Sequence, residues 1–527
     1  MKTSKKRALM SWFTLALLVL LALAVRVYDL ESLPDGLFCD EAANGCDAFS
    51  ILKTGRNIHG EKMPLLMNHH NIDRVEALYT YLTVPIVALF GLSVFSTRLV
   101  AALAGAGVVL TTFLLVREWL GKREAFLAAF LVACSPWGLS FSRIAFRGIL
   151  LPLFATLGCF LFLRSLKDCR FGVPCGLAFG LSLHSYSVAK LVVPVMVLCL
   201  LLLYREDLVA VLRSNRRARV HAPAAAALFL ALALPAYHAF FWGGGNARFH
   251  DISVFNASRP LLQFALNYCY HLTPGFLFFS GDPNPRHLLP GFGQLLVVLL
   301  PFALVGLGVA LHTREKRRLA PALFYLLGIV PPALTLGDMP HSLRAIGAFP
   351  FLEIVAASGI VAFCAFLFSK ARHAGSAAVG LVAVALCLNA VHFLRSYFGD
   401  YRLLSRDSFQ YGFKQAIAAA EAEAGPSDHI TLCCGSKEAY VFPLFFAKLD
   451  PAEYQTKGSL GRYIVTGNAS DLPETGHALL ITDGKGPPGS RVIATLRGAR
   501  GQTLMKVVRQ ESRHAGDEPR TDHSSAH

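Results

Sequence analysis

The sequence predicts a polytopic α-helical membrane protein that carries a small extracytoplasmic α/β domain near its carboxyl end. Of its 527 residues, 54% are hydrophobic and only 16% are charged, whereas soluble domains carry about 25% charged residues. Apolar runs long enough to cross about 30 Å of hydrocarbon recur through residues 1–395. After that point the pattern changes to short strand-like runs, which indicates a second domain.

The first apolar run, residues 8–27, follows a basic stretch that contains Lys2, Lys5, Lys6 and Arg7. A basic start before an apolar run is also typical of a cleaved signal peptide. However, the run is nearly as long as a membrane span, and no small-x-small cleavage site follows it. We therefore predict a retained signal anchor with its amino terminus in the cytoplasm.

Apolar runs of spanning length predict roughly eleven membrane helices in all. They lie near residues 8–27, 98–116, 124–141, 149–165, 171–187, 188–204, 222–241, 291–311, 319–337, 346–369 and 376–395. Residues 78–95 are also apolar, but counting them as a crossing would place every later basic cluster outside the cytoplasm. We therefore interpret that segment as a re-entrant or interfacial helix.

The net charge of +16 is distributed in short clusters between the apolar runs. Clusters of this kind follow the positive-inside rule of membrane proteins and do not resemble a nucleic-acid-binding surface. With the clusters in the cytoplasm, the same parity places the first outer loop (residues 28–97) and residues 140–148, 243–290, 337–345 and everything after 395 on the other side. Most of the polar residues that are able to take part in catalysis or binding then lie on one face of the membrane. This arrangement predicts an extracytoplasmic active site.

Two adjacent carboxylates, Asp40 and Glu41, stand in the first outer loop. Most such pairs are solvated or cap a helix, and this alternative stays open from the sequence. A carboxylate at a membrane surface can also act as a general base toward a hydroxyl. Cys39 and Cys46 flank the pair and are able to form a disulfide if they are extracytoplasmic, whereas the twelve cysteines show no metal-ligand spacing.

Cations on the same face supply candidate phosphate-binding groups. Arg143 and Arg147 either extend from helix ends to the lipid headgroups or contribute to the site. Arginine forks match phosphate oxygens in a bidentate way, and the outer segments are richer in Arg than in Lys.

Two further outer segments contain cations. Arg286 and His287 follow a proline-rich turn, and His341 and Arg344 lie in a short loop between two apolar runs. Charges in such a loop are costly unless they face water or a ligand. The neighbouring pair His69 and His70 suggests either a metal site or a surface loop, and we favour the loop.

The segment 396–510 predicts an extracytoplasmic α/β domain that either selects the acceptor or caps the membrane part. Its pattern indicates a helix over residues 409–423, followed by strands at 430–433, 463–466, 478–481 and 492–496. The polar tail, residues 511–527, has a composition typical of disorder.

Five short motifs, taken in order, carry a resemblance to a known family. They are Asp40-Glu41, Gly55 to Gly60 (GRNIHG), Ser142 to Arg147 (SRIAFR), Gly281 to His287 (GDPNPRH) and Arg344 to Pro350 (RAIGAFP). Over residues 8–395 the chain resembles the bacterial GT-C glycosyltransferases. More narrowly, it resembles the protein O-mannosyltransferase-like, phospholipid-carrier-dependent family (glycosyltransferase family 39-like), which includes the aminoarabinose lipid A transferases.

The resemblance implies an inverting transfer of a hexose or pentose from a polyprenyl-phosphate carrier to an acceptor hydroxyl of a protein, lipid or glycan. It implies that Asp40 is the catalytic base with Glu41 beside it, and that the enzyme lies in the bacterial inner membrane. The implied groups for the carrier phosphate are Arg143, Arg147, Arg286, His287, His341 and Arg344. Nothing in the sequence demands a cofactor or metal, although some GT-C enzymes use a divalent ion at their outer-loop acids.

Two other classes of protein compete with the enzyme. A transporter or flippase for lipid-linked or anionic substrates would line its path with intramembrane arginines, but no inverted repeat is evident and the polar residues gather on one face. A scaffold whose outer domain binds a partner leaves the loop acids without a role. Sugar transfer from a polyprenyl-phosphate donor separates the enzyme from both.

Overall fold

The computed structural model describes residues 2–69, 73–435, 437–467, 478–484 and 489–510. The predicted tail, residues 511–527, and His70 lie outside these ranges. Within them the chain is mostly helical up to residue 404, and a five-stranded sheet with flanking helices follows.

The first outer loop folds into regular elements. The anchor helix α1 (Lys2–Val27) leads to α2 (Cys39–Thr54), a hairpin of β1 (Leu66–His69) and β2 (Asp73–Glu76), and α3 (Leu78–Phe90). Asp40 and Glu41 stand in the first turn of α2. Helix α3 has thirteen residues, fewer than the roughly 20 needed to span a bilayer, which agrees with the interfacial interpretation.

The central helices follow in chain order as α4 (Val94–Trp119), α5 (Lys122–Ala133), α6 (Pro136–Phe141), α7 (Leu150–Ser165), α8 (Gly172–Ser182), α9 (Ala189–Leu203), α10 (Arg205–Ser214) and α11 (Ala218–Trp242). The later helices are α12 (Ala247–Ile252), α13 (Pro260–Tyr270), a π-helical turn (Gly275–Phe279), α14 (Leu300–Thr313), α15 (Lys316–Gly328), α16 (Val330–Ala333), α17 (Phe351–Lys370) and α18 (Arg372–Phe398).

Six described helical segments are long and apolar enough to cross a membrane. They are Leu9–Val27, Val94–Trp119, Arg147–Ser165, Ala218–Trp242, Ile346–Lys370 and Arg372–Phe398. The helical membrane architecture is therefore confirmed, but the other five predicted spans are individually shorter or broken. One example is the predicted span 124–141, which divides into α5 and α6 because Pro136 begins a new helix capped by Ser135.

Helix α4 lies at the centre of the membrane part and packs against α1, α5 and α7. Its approach to the 142–149 turn is very close at Gly105, where an added Cβ would stand only 2.3 Å from the Cβ of Ser142. Because Gly105 has no side chain, this turn, which contains Arg143 and Arg147, can pack closely against the helical core.

The carboxyl-terminal domain begins after α19 (Tyr401–Leu404). Its elements are α20 (Phe413–Glu423), β3 (His429–Cys433), α21 (Val441–Phe446), α22 (Pro451–Lys457), β4 (Tyr463–Thr466), β5 (Ala478–Thr482), β6 (Arg491–Arg497) and β7 (Thr503–Arg509). The strands form one sheet in the order β4-β3-β5-β7-β6, with parallel pairing among β4, β3 and β5. The predicted helix and four strands are all present, while β7, α21 and α22 were not predicted.

This domain rests directly on α2. The side-chain oxygen of Gln410 accepts a hydrogen bond of 2.7 Å from the backbone N–H of Cys39, and Arg406 forms an ion pair of 2.9 Å with Asp35. Gln455 donates to the hydroxyl of Ser50 at 2.8 Å. The bond from Cys39 to Gln410 lies in the first turn of α2 and fixes the position of that turn, and therefore of Asp40.

Candidate active site

The predicted base, Asp40, occupies the first turn of α2 and is half-buried. The cation Arg147 lies within electrostatic range of its carboxylate, as does the phenol of Tyr186.

Glu41, the second predicted catalytic residue, has a different environment from Asp40. Its fully buried carboxylate binds Arg98 through two contacts of 2.9 and 3.1 Å. It also accepts hydrogen bonds from the backbone N–H groups of Ala145 at 2.8 Å and Phe38 at 3.2 Å. With its oxygens occupied in this way, Glu41 fastens α2 to the 142–149 turn and to α4, so it is a positioning residue.

Arg143, a predicted phosphate contact, is engaged by the protein itself. Its side chain is fully buried, and its two terminal nitrogens donate to the carbonyls of Val25 and Arg26 at 2.9 Å and of Leu33 at 3.0 Å. These carbonyls belong to the end of α1 and the chain just after it. Arg143 therefore caps a helix terminus, and its terminal nitrogens are occupied by backbone carbonyls.

Arg147 lies on the outer side of the same turn and is only partly buried. Its Nε donates to Glu76 at 3.0 Å, and Glu76 also binds Lys190 at 2.6 Å and the hydroxyl of Ser187 at 2.9 Å. Burial raises the pKa of Glu76, but Lys190 and Arg147 outweigh that effect and lower the pKa to about 2. Glu76 thus orients Arg147, whose terminal nitrogens make no hydrogen bond to any described residue.

Arg344 is oriented in a comparable way. Its Nη1 donates to the hydroxyl of Thr335 at 2.9 Å and to the carbonyl of Leu336 at 3.2 Å. Within the described part of the chain, its Nε and Nη2 have no hydrogen-bond partner. Since Arg344 lies within electrostatic range of Tyr186, it approaches the same region as Arg147.

Arg286 contacts the aromatic side chain that directly precedes α2. The centre of its guanidinium lies 4.1 Å from the ring centroid of Phe38, which caps α2. The ring of Phe38 contacts that of Phe146, with centroids 6.1 Å apart, and Phe146 directly precedes Arg147. The contacting rings of Phe38 and Phe146 therefore lie between Arg286 and Arg147, beside the first turn of α2.

The two predicted histidines belong to a separate buried cluster with Asp282. His287 Nδ1 lies 2.8 Å from the Asp282 carboxylate, and the ring centroid of His341 lies 4.7 Å from that of His287. Burial opposes ionisation of Asp282, but His287 and His341 hold its pKa well below the ordinary value. The structure places both imidazoles beside a carboxylate, so their predicted role as direct phosphate ligands is not supported.

The Asp282, His287 and His341 cluster is the one that fits a metal ion among the described residues. One ligand atom from each residue lies within 4.8 Å of the others. A carboxylate and two imidazoles form a donor set that zinc and similar ions take. Asp282 also accepts hydrogen bonds from the N–H and the hydroxyl of Ser342, which tie the cluster to the loop that carries Arg344.

The cysteines beside the acidic pair are not bonded to each other. Cys39 and Cys46 are both free and buried, and seven residues of one helix separate them, about 10 Å along the axis. A disulfide requires Cα atoms within about 7 Å. The Cys39 thiol instead contacts Glu438 at 3.2 Å and the Cys46 thiol contacts the carbonyl of Val441 at 3.6 Å.

Lys190 and Tyr186 are site residues that the sequence reasoning missed. Both fall in segments predicted as membrane spans, and Lys190 is the single charged residue of the run 188–204. An isolated ionisable group in an apolar run usually faces a partner or a site, and that signal was available. No sequence pattern marked Tyr186, because its importance comes from what the fold brings beside it.

Together these contacts place the Asp40 carboxylate within electrostatic range of the Arg147 guanidinium. Arg344 lies near the same Tyr186 as Arg147, and Arg286 lies against Phe38. The carboxylate is on α2, and the cations come from the 142–149 turn, the 281–287 turn and the loop before α17. Such an arrangement suits a reaction in which a hydroxyl loses a proton while a phosphate takes up negative charge.

The fold is that of the GT-C membrane glycosyltransferases. The crystal structure of ArnT from Cupriavidus metallidurans bound to undecaprenyl phosphate superposes with a TM-score of 0.56 at 16% identity, covering 94% of this chain and 97% of that one. The apo structure of the same ArnT gives a TM-score of 0.56 at 15% identity, covering 96% and 99%. These matches confirm the GT-C fold that the motif order predicted.

Sequence comparison points to the same group of proteins. Residues 77–238 match the model of the dolichyl-phosphate-mannose-protein mannosyltransferase family. A segment of 96 residues is 31% identical to "Putative mannosyltransferase YkcB" of Bacillus subtilis (strain 168). The aligned segment spans 18% of this chain and 13% of that relative, so it supports a relationship over this part of the membrane domain.

Proposed function

We propose that the protein is a membrane glycosyltransferase that moves a hexose or pentose from a polyprenyl-phosphate carrier to an acceptor hydroxyl. The observation that carries this proposal is the half-buried Asp40 carboxylate within electrostatic range of Arg147. Arg344 lies near the same Tyr186 as Arg147, and Arg286 lies against Phe38. ArnT, which has the same fold, was crystallised with undecaprenyl phosphate. The match to a family of dolichyl-phosphate-mannose-dependent transferases supports the same class of donor.

In the proposed reaction, Asp40 accepts the proton of the acceptor hydroxyl as its oxygen attacks the anomeric carbon. The bond between that carbon and the phosphate oxygen breaks, and the phosphate leaves with the electron pair. Attack opposite the leaving group inverts the configuration of the sugar. The acceptor class is a protein, a lipid or a glycan.

The carrier phosphate is proposed to bind Arg147, Arg286 and Arg344. Their free guanidinium nitrogens suit phosphate oxygens, and charge-assisted hydrogen bonds to them strengthen as charge develops on the leaving group. The prenyl chain would lie between the apolar helices. Any metal at Asp282, His287 and His341 would hold the outer loops together and takes no part in the proposed steps.

We place the site on the extracytoplasmic face of the bacterial inner membrane, with the amino terminus in the cytoplasm. The support is the positive-inside distribution of the basic clusters. The carboxyl-terminal domain rests on α2 and therefore lies on the same face as the site.

The deciding experiment measures transfer of radiolabelled sugar from a panel of polyprenyl-phosphate donors to mixed membrane acceptors. Purified wild type, Asp40→Asn and Asp35→Asn are compared in lipid. Asp35 is a matched control, since it is an outer-loop aspartate that binds Arg406 of the carboxyl-terminal domain. We expect Asp40→Asn to lose at least about 1,000-fold in turnover, because a general base is removed without a change of shape, and Asp35→Asn to keep most of its activity.

Transfer by wild type and by Asp40→Asn at equal rates would exclude Asp40 as the base. Absence of transfer from every donor, together with movement of the carrier between liposome leaflets, would replace the enzyme with a flippase.

A further inference from the structure

Tyr186 lies in the short connection between α8 and α9, on the side of the molecule where Asp40 is found. The centre of the Arg147 guanidinium is 5.4 Å from the centroid of the Tyr186 ring. Because Arg147 is held through its Nε by Glu76 at 3.0 Å, the ring and the guanidinium keep a fixed relation.

The hydroxyl of Tyr186 lacks the backbone partner that three other tyrosines of the chain have. Tyr79, Tyr81 and Tyr401 each donate to a backbone carbonyl, at 2.8, 2.6 and 2.6 Å. The Tyr186 hydroxyl makes no hydrogen bond to any residue that the structure describes, although its ring is half-buried. A phenol in such a position usually finds a partner, and here that partner has to come from outside the described protein groups.

The charges around this phenol identify the chemistry of that partner. Arg147 and Arg344 are cations within electrostatic range, and Asp40 is the nearby base. Two guanidiniums with unoccupied nitrogens attract an anion with several oxygens, and a neutral O–H group adds a hydrogen bond without adding charge.

We propose that Tyr186 is a substrate-binding residue that donates its phenolic hydrogen bond to a phosphate oxygen of the lipid carrier, between Arg147 and Arg344. This inference rests on the proposed function, since it names a further contact in the same site. The bond strengthens as the phosphate becomes a leaving group, so Tyr186 contributes to turnover as well as to carrier binding.

The test compares Tyr186→Phe with wild type in two assays. The first is binding of polyprenyl phosphate that carries no sugar, and the second is sugar transfer. Phenylalanine keeps the ring beside Arg147 and removes only the hydroxyl. We expect binding of polyprenyl phosphate to weaken about tenfold and kcat to fall further, because a hydrogen bond to a charged group is lost.

Tyr411→Phe is the matched control. The guanidinium of Arg406 lies 4.4 Å from the Tyr411 ring centroid and is held by Asp35 through its Nε, so the local geometry repeats that of Tyr186, Arg147 and Glu76. Tyr411 belongs to the segment before α20 and has no proposed contact with substrate. We expect Tyr411→Phe to bind polyprenyl phosphate and to transfer sugar as wild type does.

Each outcome decides the inference. Unchanged binding and unchanged kcat in Tyr186→Phe, beside an active wild type, overturn it and leave the proposed function intact. Loss of transfer with unchanged binding of the sugar-free carrier overturns the phosphate contact, because the hydroxyl then binds the sugar. A melting temperature lowered by more than a few degrees relative to Tyr411→Phe overturns it as well, since the hydroxyl then has a structural partner. A wild type that transfers no sugar refutes the proposed function, while its binding of polyprenyl phosphate still tests Tyr186.

Discussion

Two groups of arginines have opposite surroundings, although Arg143 of one group and Arg147 of the other lie only four residues apart in the sequence. The buried group, Arg98 and Arg143, is fully enclosed, and the terminal guanidinium nitrogens of both residues donate to backbone carbonyls or to Glu41. The outer group, Arg147, Arg286 and Arg344, is half-buried and keeps guanidinium nitrogens without a described hydrogen-bond partner. The difference teaches that an arginine on the outer face is a ligand-binding candidate only when the fold leaves part of its fork unoccupied.

The buried group also explains how the site is held in place. Arg98 joins α4 to Glu41 of α2 and to the carbonyls of Pro34 and Gly36, while Arg143 joins the 142–149 turn to the end of α1. These contacts make the first outer loop and the turn one unit. The rigid unit can then hold the guanidiniums of the outer group at defined distances from one another.

The largest expected effect comes from breaking the buried ion pair. Replacing Arg98 by Ala leaves the Glu41 carboxylate enclosed without its cation, which costs about 3–5 kcal/mol in the free energy of unfolding. We expect Arg98→Ala to be recovered from membranes in much lower amounts and to melt well below wild type. Arg402→Ala, which removes an exposed partner of Asp29, is the control and should change stability by less than about 1 kcal/mol. Equal losses in both variants would show that the buried pair has no special role.

The next effect concerns acid stability. The pKa of Glu76 in the folded protein is about 2, below the ordinary value near 4.3. Glu76 therefore contributes stability above pH of about 4.3, and this contribution of about 3 kcal/mol is lost as the pH falls toward 2.

Chemical unfolding in detergent between pH 5 and pH 2 measures this contribution. We expect Glu76→Gln to be less stable than wild type at pH 5 and to lose less on acidification. Glu61→Gln, which alters the more exposed pair with Arg74, should follow the wild-type curve. An unchanged pH dependence in Glu76→Gln would contradict the predicted role of Lys190 and Arg147.

The smallest effect on stability, and a clear one on function, is expected in the outer group. Arg344→Ala should raise the KM for the polyprenyl-phosphate donor about tenfold, which corresponds to about 1.4 kcal/mol of lost binding, with little change in melting temperature. The same donor titration on Arg402→Ala serves as the reference. A wild-type KM in Arg344→Ala would remove this residue from the phosphate site.

Much of the architecture was predictable because helices that cross a membrane need long runs of apolar residues, which are visible in the sequence. Long apolar runs, basic clusters between them and the change of pattern after residue 395 predicted the helical membrane part and the outer domain. The number of spans was less predictable, since apolar composition does not reveal where a residue such as Pro136 divides a run into two helices. Strand β7 was not predicted because its sequence, TLMKVVR, does not alternate regularly between apolar and polar residues.

The sequence by itself determined that this is a membrane protein of GT-C type with an acidic pair in its first outer loop, because composition and motif order do not depend on side-chain contacts. Only the tertiary structure decided which member of each pair faces the site. Asp40 and Glu41 are neighbours in one helical turn, where adjacent residues point about 100° apart, so one lies at the site and the other beneath it. Arg143 and Arg147 likewise diverge within one turn. Contacts with distant parts of the chain bury Glu41 and Arg143 and occupy their polar atoms, so these two residues have structural roles. Asp40 and Arg147 are less buried and are the candidates for substrate binding.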